Sequence, residues 1–258
     1  MTMKTTDTPE RQPLVGSRPT LGRLVGLEFR KLTTVRSGQS VLWSMLGLGL
    51  LLSFGVCWVL IAQEEAELSF SVIMMAFTVC AALGTPILGI LVYTMDWQHR
   101  DILMILALEP RRHRVFLAKL VTSVLIGVAL CAAFIATGLA VSFGLASAFG
   151  MAWTAQGSLE VLGMLIVLSF AGSLSGAALG SALLSTPLSV VIVIIQVLLI
   201  DNLLLLLPGG IGPFLQTASM SNSLIGDGSI GTALSSFALW VLLPFAVGFI
   251  RMRRAEPH

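Results

Sequence analysis

The chain has 258 residues, 56% of them hydrophobic and only 11% charged, with a formal net charge of +2. A soluble domain carries roughly 25% charged residues, so charge here is too scarce to coat a water-facing surface, and lipid is left as what the apolar side chains face. The near-neutral balance argues for no nucleic-acid partner. Cys57, Cys80 and Cys131 all lie inside apolar runs and read as small packing residues, with no spacing that fits a disulfide framework or a metal motif.

Met1 to Thr20 is rich in Thr, Pro and charge and has no apolar core of a signal peptide, so residues 1–20 read as a flexible tail ahead of one membrane domain over 21–258. In Leu21–Val35, the residues Leu21, Leu24, Val25, Phe29 and Leu32 recur at three- and four-residue spacing. Arg23, Arg30 and Lys31 fall on the other side, which predicts an amphipathic helix with a basic face, either lying on the inner leaflet or packed against the bundle. Crossing the hydrocarbon core takes about 20 apolar residues. Six stretches qualify: Val41–Ala62, Leu68–Met95, Leu120–Phe143, Leu159–Leu184, Leu188–Leu207 and Ile230–Ile250. The second is long, so it is expected to tilt, to kink at Pro86 or to extend beyond the lipid. Between the fourth and fifth, Ser185-Thr186-Pro187 marks a tight turn, because unbroken helix from Leu159 to Leu207 would be too long for one crossing. Asp96–Lys119 reads as helix, break at Glu109-Pro110, and helix again.

Lys and Arg set the orientation. Seven precede the first span, five lie between the second and third, and three follow the sixth. The opposite side has none and holds Glu64, Glu65, Glu67, Glu160 and Asp227. Both termini are therefore expected in the cytoplasm, with the chain multi-pass in the bilayer.

At its cytoplasmic edges the chain resembles the membrane subunits of ABC transporters, specifically the type-2 exporter permeases. Glu28-Phe29-Arg30-Lys31-Leu32 followed by Arg36-Ser37 stands where that class carries an amphipathic elbow helix. Asp96, the short apolar run Ile102–Leu108, Pro110, Arg111 and Lys119 stand where it carries a coupling helix between spans two and three. The family often has Gly-Thr early in that helix, and here Arg100-Asp101 replaces it. The resemblance implies an all-α fold of six transmembrane helices with elbow and coupling helices. It also implies ATPase docking through Asp96, Arg100, Asp101, Ile102, Leu106, Glu109, Pro110 and Arg111. Two copies of an ABC ATPase would bind ATP and Mg, while this chain binds no cofactor and pairs as a homodimer or with a related permease. The Pro208–Gly228 segment, with its Pro-Gly-Gly and Gly-Pro pairs, resembles the re-entrant or loop region before the family's last span. Export, and a bacterial inner (plasma) membrane, are implied by the resemblance alone.

The residues themselves argue against chemistry in this chain. None of its lysines follows glycine, so no phosphate-binding GxxxxGK[ST] loop exists. His99, His113 and His258 all fall outside the spans, which leaves no intramembrane metal or base. Glu64-Glu65 lacks the following arginine or histidine pair of a paired-glutamate membrane peptidase. In the fourth span, Gly172, Gly176 and Gly180 recur every four residues and are expected to let another helix approach closely. Gln196 and Asp201, in the fifth span, are the polar candidates for a transport path. The expected function is a permease subunit exporting a hydrophobic or amphipathic substrate such as a drug, lipid or peptide. A stand-alone secondary transporter or channel, or a noncatalytic scaffold or immunity protein, is the alternative.

Overall fold

The computed structural model describes residues 20–63, 67–98, 112–204, 206–207, 210–225 and 228–254. It is a multi-pass membrane protein, with six helices among the described residues long and apolar enough to cross a bilayer. Helix α1 is Leu21–Thr34, α2 is Arg36–Ala62, α3 is Phe70–Gln98, α4 is Arg112–Phe149 and α5 is Ser158–Leu183. Helix α6 spans Thr186–Leu204, the short α7 and α8 are Gly212–Leu215 and Ser219–Ile225, and α9 covers 230–254. Strands β1 (Glu67–Ser69) and β2 (Ala152–Thr154) pair in parallel, with Leu68 opposite Trp153.

The Thr20 hydroxyl caps α1 by accepting from the Arg23 N–H at 3.4 Å. Val35 then adopts an extended conformation, and this single residue turns the chain from α1 into the first span. The corner is tight. A Cβ at Gly38 would lie 2.2 Å from the Leu32 carbonyl oxygen, so only glycine fits there. Burial corrects the expected division of α1. Leu32 and, in part, Phe29 face the bundle as expected, but Leu21 is exposed. Lys31, placed by periodicity on the outward basic face, instead reaches inward to Asp96.

Helix α3 is the axis of the bundle. It runs unbroken through Pro86, and 72% of its most apolar window is buried inside the protein. The glycine stripe of α5 explains why. A Cβ on Gly176 would sit 1.9 Å from the Pro86 carbonyl oxygen, and one on Gly172 would sit 2.3 Å from Thr85 Oγ1. The reciprocal Gly89 of α3 meets the Ser173 carbonyl in the same way. Small residues thus bring two backbones into direct contact, the packing that lipid-embedded helices rely on. A large apolar core spreads outward from Phe77, Phe134, Met74 and Leu88.

The turn between α5 and α6 falls where Pro187 placed it. Leu184 takes a left-handed conformation (φ 54°), Ser185 is extended, and Pro187 lies in the first turn of α6. The Arg251 guanidinium donates to the Ala182 carbonyl at 2.8 Å, which satisfies the exposed end of α5. Helix α4 begins at Arg112, eight residues before the apolar run at Leu120.

Candidate functional site

Two polar constellations stand inside this apolar bundle. The first lies where α1, the end of α3 and the start of α4 meet. Glu28 and Lys31 share one face of α1, three residues apart. Asp96 lies near the end of α3 and Lys119 on α4; they are 1% and 2% exposed. Lysine has three N–H donors and no acceptor. Lys119 Nζ uses all three, donating to Asp96 Oδ2 at 2.5 Å, the Val92 carbonyl at 2.8 Å and Glu28 Oε2 at 3.2 Å. Lys31 pairs with the other Asp96 oxygen. Among the described residues, two cations thus face two carboxylates, and such pairing is how buried charge becomes tolerable.

An aromatic group lies about one helical turn away, Tyr93 three residues before Asp96 and Phe116 three before Lys119. The Tyr93 hydroxyl donates to the Phe116 carbonyl at 3.0 Å, and Tyr93, Phe116 and Phe245 stack edge-on with centroids 5.4–6.2 Å apart. Helices α1, α3, α4 and α9 are therefore locked together at this end. Asp96, expected among the docking residues, is covered by α1 and paired, so it is not part of an open surface. The other docking residues, Arg100, Asp101, Ile102, Leu106, Glu109, Pro110 and Arg111, lie outside the described residues. Of the elbow residues, Glu28 and Lys31 join the cluster, Phe29 packs on the core, and Arg30 is exposed.

The second constellation lies in the other half of the bundle, between α3, α5, α6 and the 212–222 segment. Here α6 widens into one π-helical turn, Gln196–Ile200, and Asp201 follows it. Such turns shift side-chain register inside a helix and recur at functional sites. Gln196 is 3% exposed, and its amide forms no hydrogen bond among the described residues. Asp201 accepts from the Thr217 N–H at 3.1 Å, from the Thr217 hydroxyl, and from the Ala218 N–H at 3.3 Å. Its own carbonyl accepts from Gln216 Nε2 at 2.7 Å. The carboxylate thus holds the segment leading into α8 against the end of α6.

Where an irregular backbone was expected, the described part of that segment is two short helices, α7 and α8, joined by the non-helical Gln216–Ala218. Ser219 donates to Pro213 O at 2.5 Å, Ser235 to Phe214 O at 2.9 Å, Trp240 Nε1 to Leu215 O at 2.7 Å and Ser236 to Gln216 O at 2.6 Å. Side chains thus satisfy carbonyls that the short α7 leaves without helical partners. Periodicity missed Gln216, Thr217 and Ser236, since no repeat marks a side chain that bonds to a distant carbonyl. Together these elements line an open-sided cavity of about 370 Å³, with mostly apolar residues of α3 and α5 on it and Gln196, Asp201 and Gln216 reaching it.

No protein-family model matches this chain, and no curated protein matches it.

Proposed function

We propose that the chain is the membrane permease subunit of an ATP-binding-cassette exporter, powered by a separate ATPase that docks on the 99–111 segment. The observation that carries this reading is the buried cluster of Glu28, Lys31, Asp96 and Lys119. Residues 96 and 119 flank the segment where the ATPase would dock, and the cluster ties both flanks to α1. A pull on the segment would therefore move α1, α3 and α4 together. ATP binding would bias a two-state equilibrium of the bundle through that connection. The six spans, the amphipathic α1 and the polar cavity between α3, α5 and α6 accord with this reading. The basic end of the bundle, with Arg23, Arg36, Arg114 and Arg251, would face the cytoplasm, with both termini on that side. The chain would work as a dimer in the inner or plasma membrane.

The test is a pull-down of the detergent-solubilised chain from its native membrane, with and without residues Ile102–Arg112. An ABC ATPase is expected to co-purify with the intact chain and to be lost on deletion. A deletion variant that folds and still retains the ATPase would place docking elsewhere. A second reading, a secondary transporter that needs no partner, is favoured by one observation, the Asp201 carboxylate beside the cavity. Asp201-dependent transport by the purified chain alone would establish it instead.

A further inference from the structure

We propose that the cavity between α3, α5, α6 and the 212–222 segment binds an amphipathic cation, its apolar body against α3 and α5 and its cationic head between Asp201 and Gln196. This deepens the exporter reading and rests on it only in calling the bound molecule cargo.

Three observations carry the inference. The first is charge. Asp201 has no cationic partner among the described residues, and the chain contains no Lys or Arg between Lys119 and Arg251. The hydrogen bonds it accepts come from two backbone amides and a hydroxyl, which stabilise a carboxylate but leave its charge uncompensated. The contrast with the other end is direct: there, each buried carboxylate meets an ammonium of the protein itself. The second is Gln196, a residue only 3% exposed that lines the cavity, its amide without a hydrogen bond among the described residues and so left to meet whatever occupies the cavity. An amide offers both a donor and an acceptor to a polar head group there. The π turn that carries Gln196 places this amide and the Asp201 carboxylate on the same cavity wall. The third is shape. The lining from α3 and α5 is mostly apolar, with Met75, Val79, Ala82, Val161, Met164 and Leu168 beside Thr78 and Ser175. Its volume of about 370 Å³ falls in the range of small-molecule sites. An anion would meet Asp201 with like charge, and a purely apolar molecule would leave both polar groups unanswered.

The experiment uses the full chain in lipid nanodiscs and measures saturable binding by equilibrium dialysis, with protein-free nanodiscs subtracted. The probes are tetraphenylphosphonium and tetraphenylborate, which share a shape and differ in sign of charge. Saturable phosphonium binding is expected, with borate no higher than in protein-free discs. Asp201→Asn should weaken phosphonium binding about tenfold or more, the loss expected when a close charge pair is removed in a site of low dielectric. Ala82→Phe should abolish it by filling the cavity. Asp201→Glu keeps the carboxylate and should restore most of the phosphonium binding that Asp201→Asn loses. The proposal is overturned by absent phosphonium binding, by equal binding of borate, or by an Asp201→Glu loss as large as that of Asp201→Asn. None of these results bears on ATPase co-purification, so the two proposals fail separately.

Discussion

Lys119→Met is expected to destabilise the folded chain by about 3–5 kcal/mol, the cost of breaking a buried ion pair by removing one partner. The substitution keeps the volume of the side chain and removes only the ammonium. Asp96, 1% exposed, would keep Lys31 alone, and the Val92 carbonyl and Glu28 would each lose their donor. The cost is of that size because the remaining carboxylate cannot recover water. Replacing both members, Lys119→Met with Asp96→Leu, should cost less than the sum of the two single changes, since neither charge is then left unpaired. Equilibrium unfolding in mixed micelles measures all three variants. Additive losses would mean that the two groups do not interact in the folded protein. Loss of α1 packing, read by protease sensitivity near Val35, should accompany the single change, because Glu28 and Lys31 hold α1 to the bundle through the same cluster.

Gly176→Ala is expected to cost about 3 kcal/mol, the upper part of the range for overpacking a close contact. The added methyl would lie 1.9 Å from the Pro86 carbonyl oxygen, an atom of a backbone that cannot swing aside as a side chain would. Helices α3 and α5 must separate, and the neighbouring contacts at Gly172 and Gly89 would open with them. Gly163→Ala is the control in the same helix, with nothing within 4 Å of its Cβ. It should be neutral or stabilise by up to about 1 kcal/mol, the helix advantage of Ala over Gly. The difference between the two variants isolates interhelical contact from helix propensity. Equal stability would show that α3 and α5 are not in backbone contact.

The six spans were readable from hydropathy because lipid demands long apolar runs whatever the tertiary structure. The Pro187 turn and the glycine stripe were readable because each rests on a local property, a missing N–H or a missing side chain. Helix ends were not readable from hydropathy. Helix α4 runs back to Arg112, beyond its apolar run, and there the sign in the sequence was the break at Glu109-Pro110, after which a new helix was expected. Lys31 misled. Its position on the helical wheel is outward, but its long apolar stem lets the ammonium reach Asp96, 65 residues further along the chain. Helix α3 is continuous through Pro86, and the glycine face of α5 packs on that turn, a contact that no local pattern in α3 announces. At the candidate site, Gln196 and Asp201 stood out as polar residues in an apolar span. Their partners did not, since the Gln216–Ala218 stretch bonds to Asp201 from 15 to 17 residues further along the chain, where no periodicity links them. The π turn at Gln196 left no mark at all, as its hydrogen-bond register is chosen by packing. In α9 a cause is visible: Pro244 offers no N–H to the Trp240 carbonyl, and the turn Ala238–Leu242 widens just ahead of it.

The central claim is that a separate ATPase engages this chain at the segment between α3 and α4. Photo-crosslinking in native membranes tests it most directly, with a photoreactive residue placed at Leu106 or, at the opposite end of the bundle, at Phe149. A covalent adduct to an ABC ATPase from position 106, and none from position 149, is the predicted result. Position 106 yielding no ATPase adduct in a correctly folded chain, or position 149 yielding one, would contradict the account.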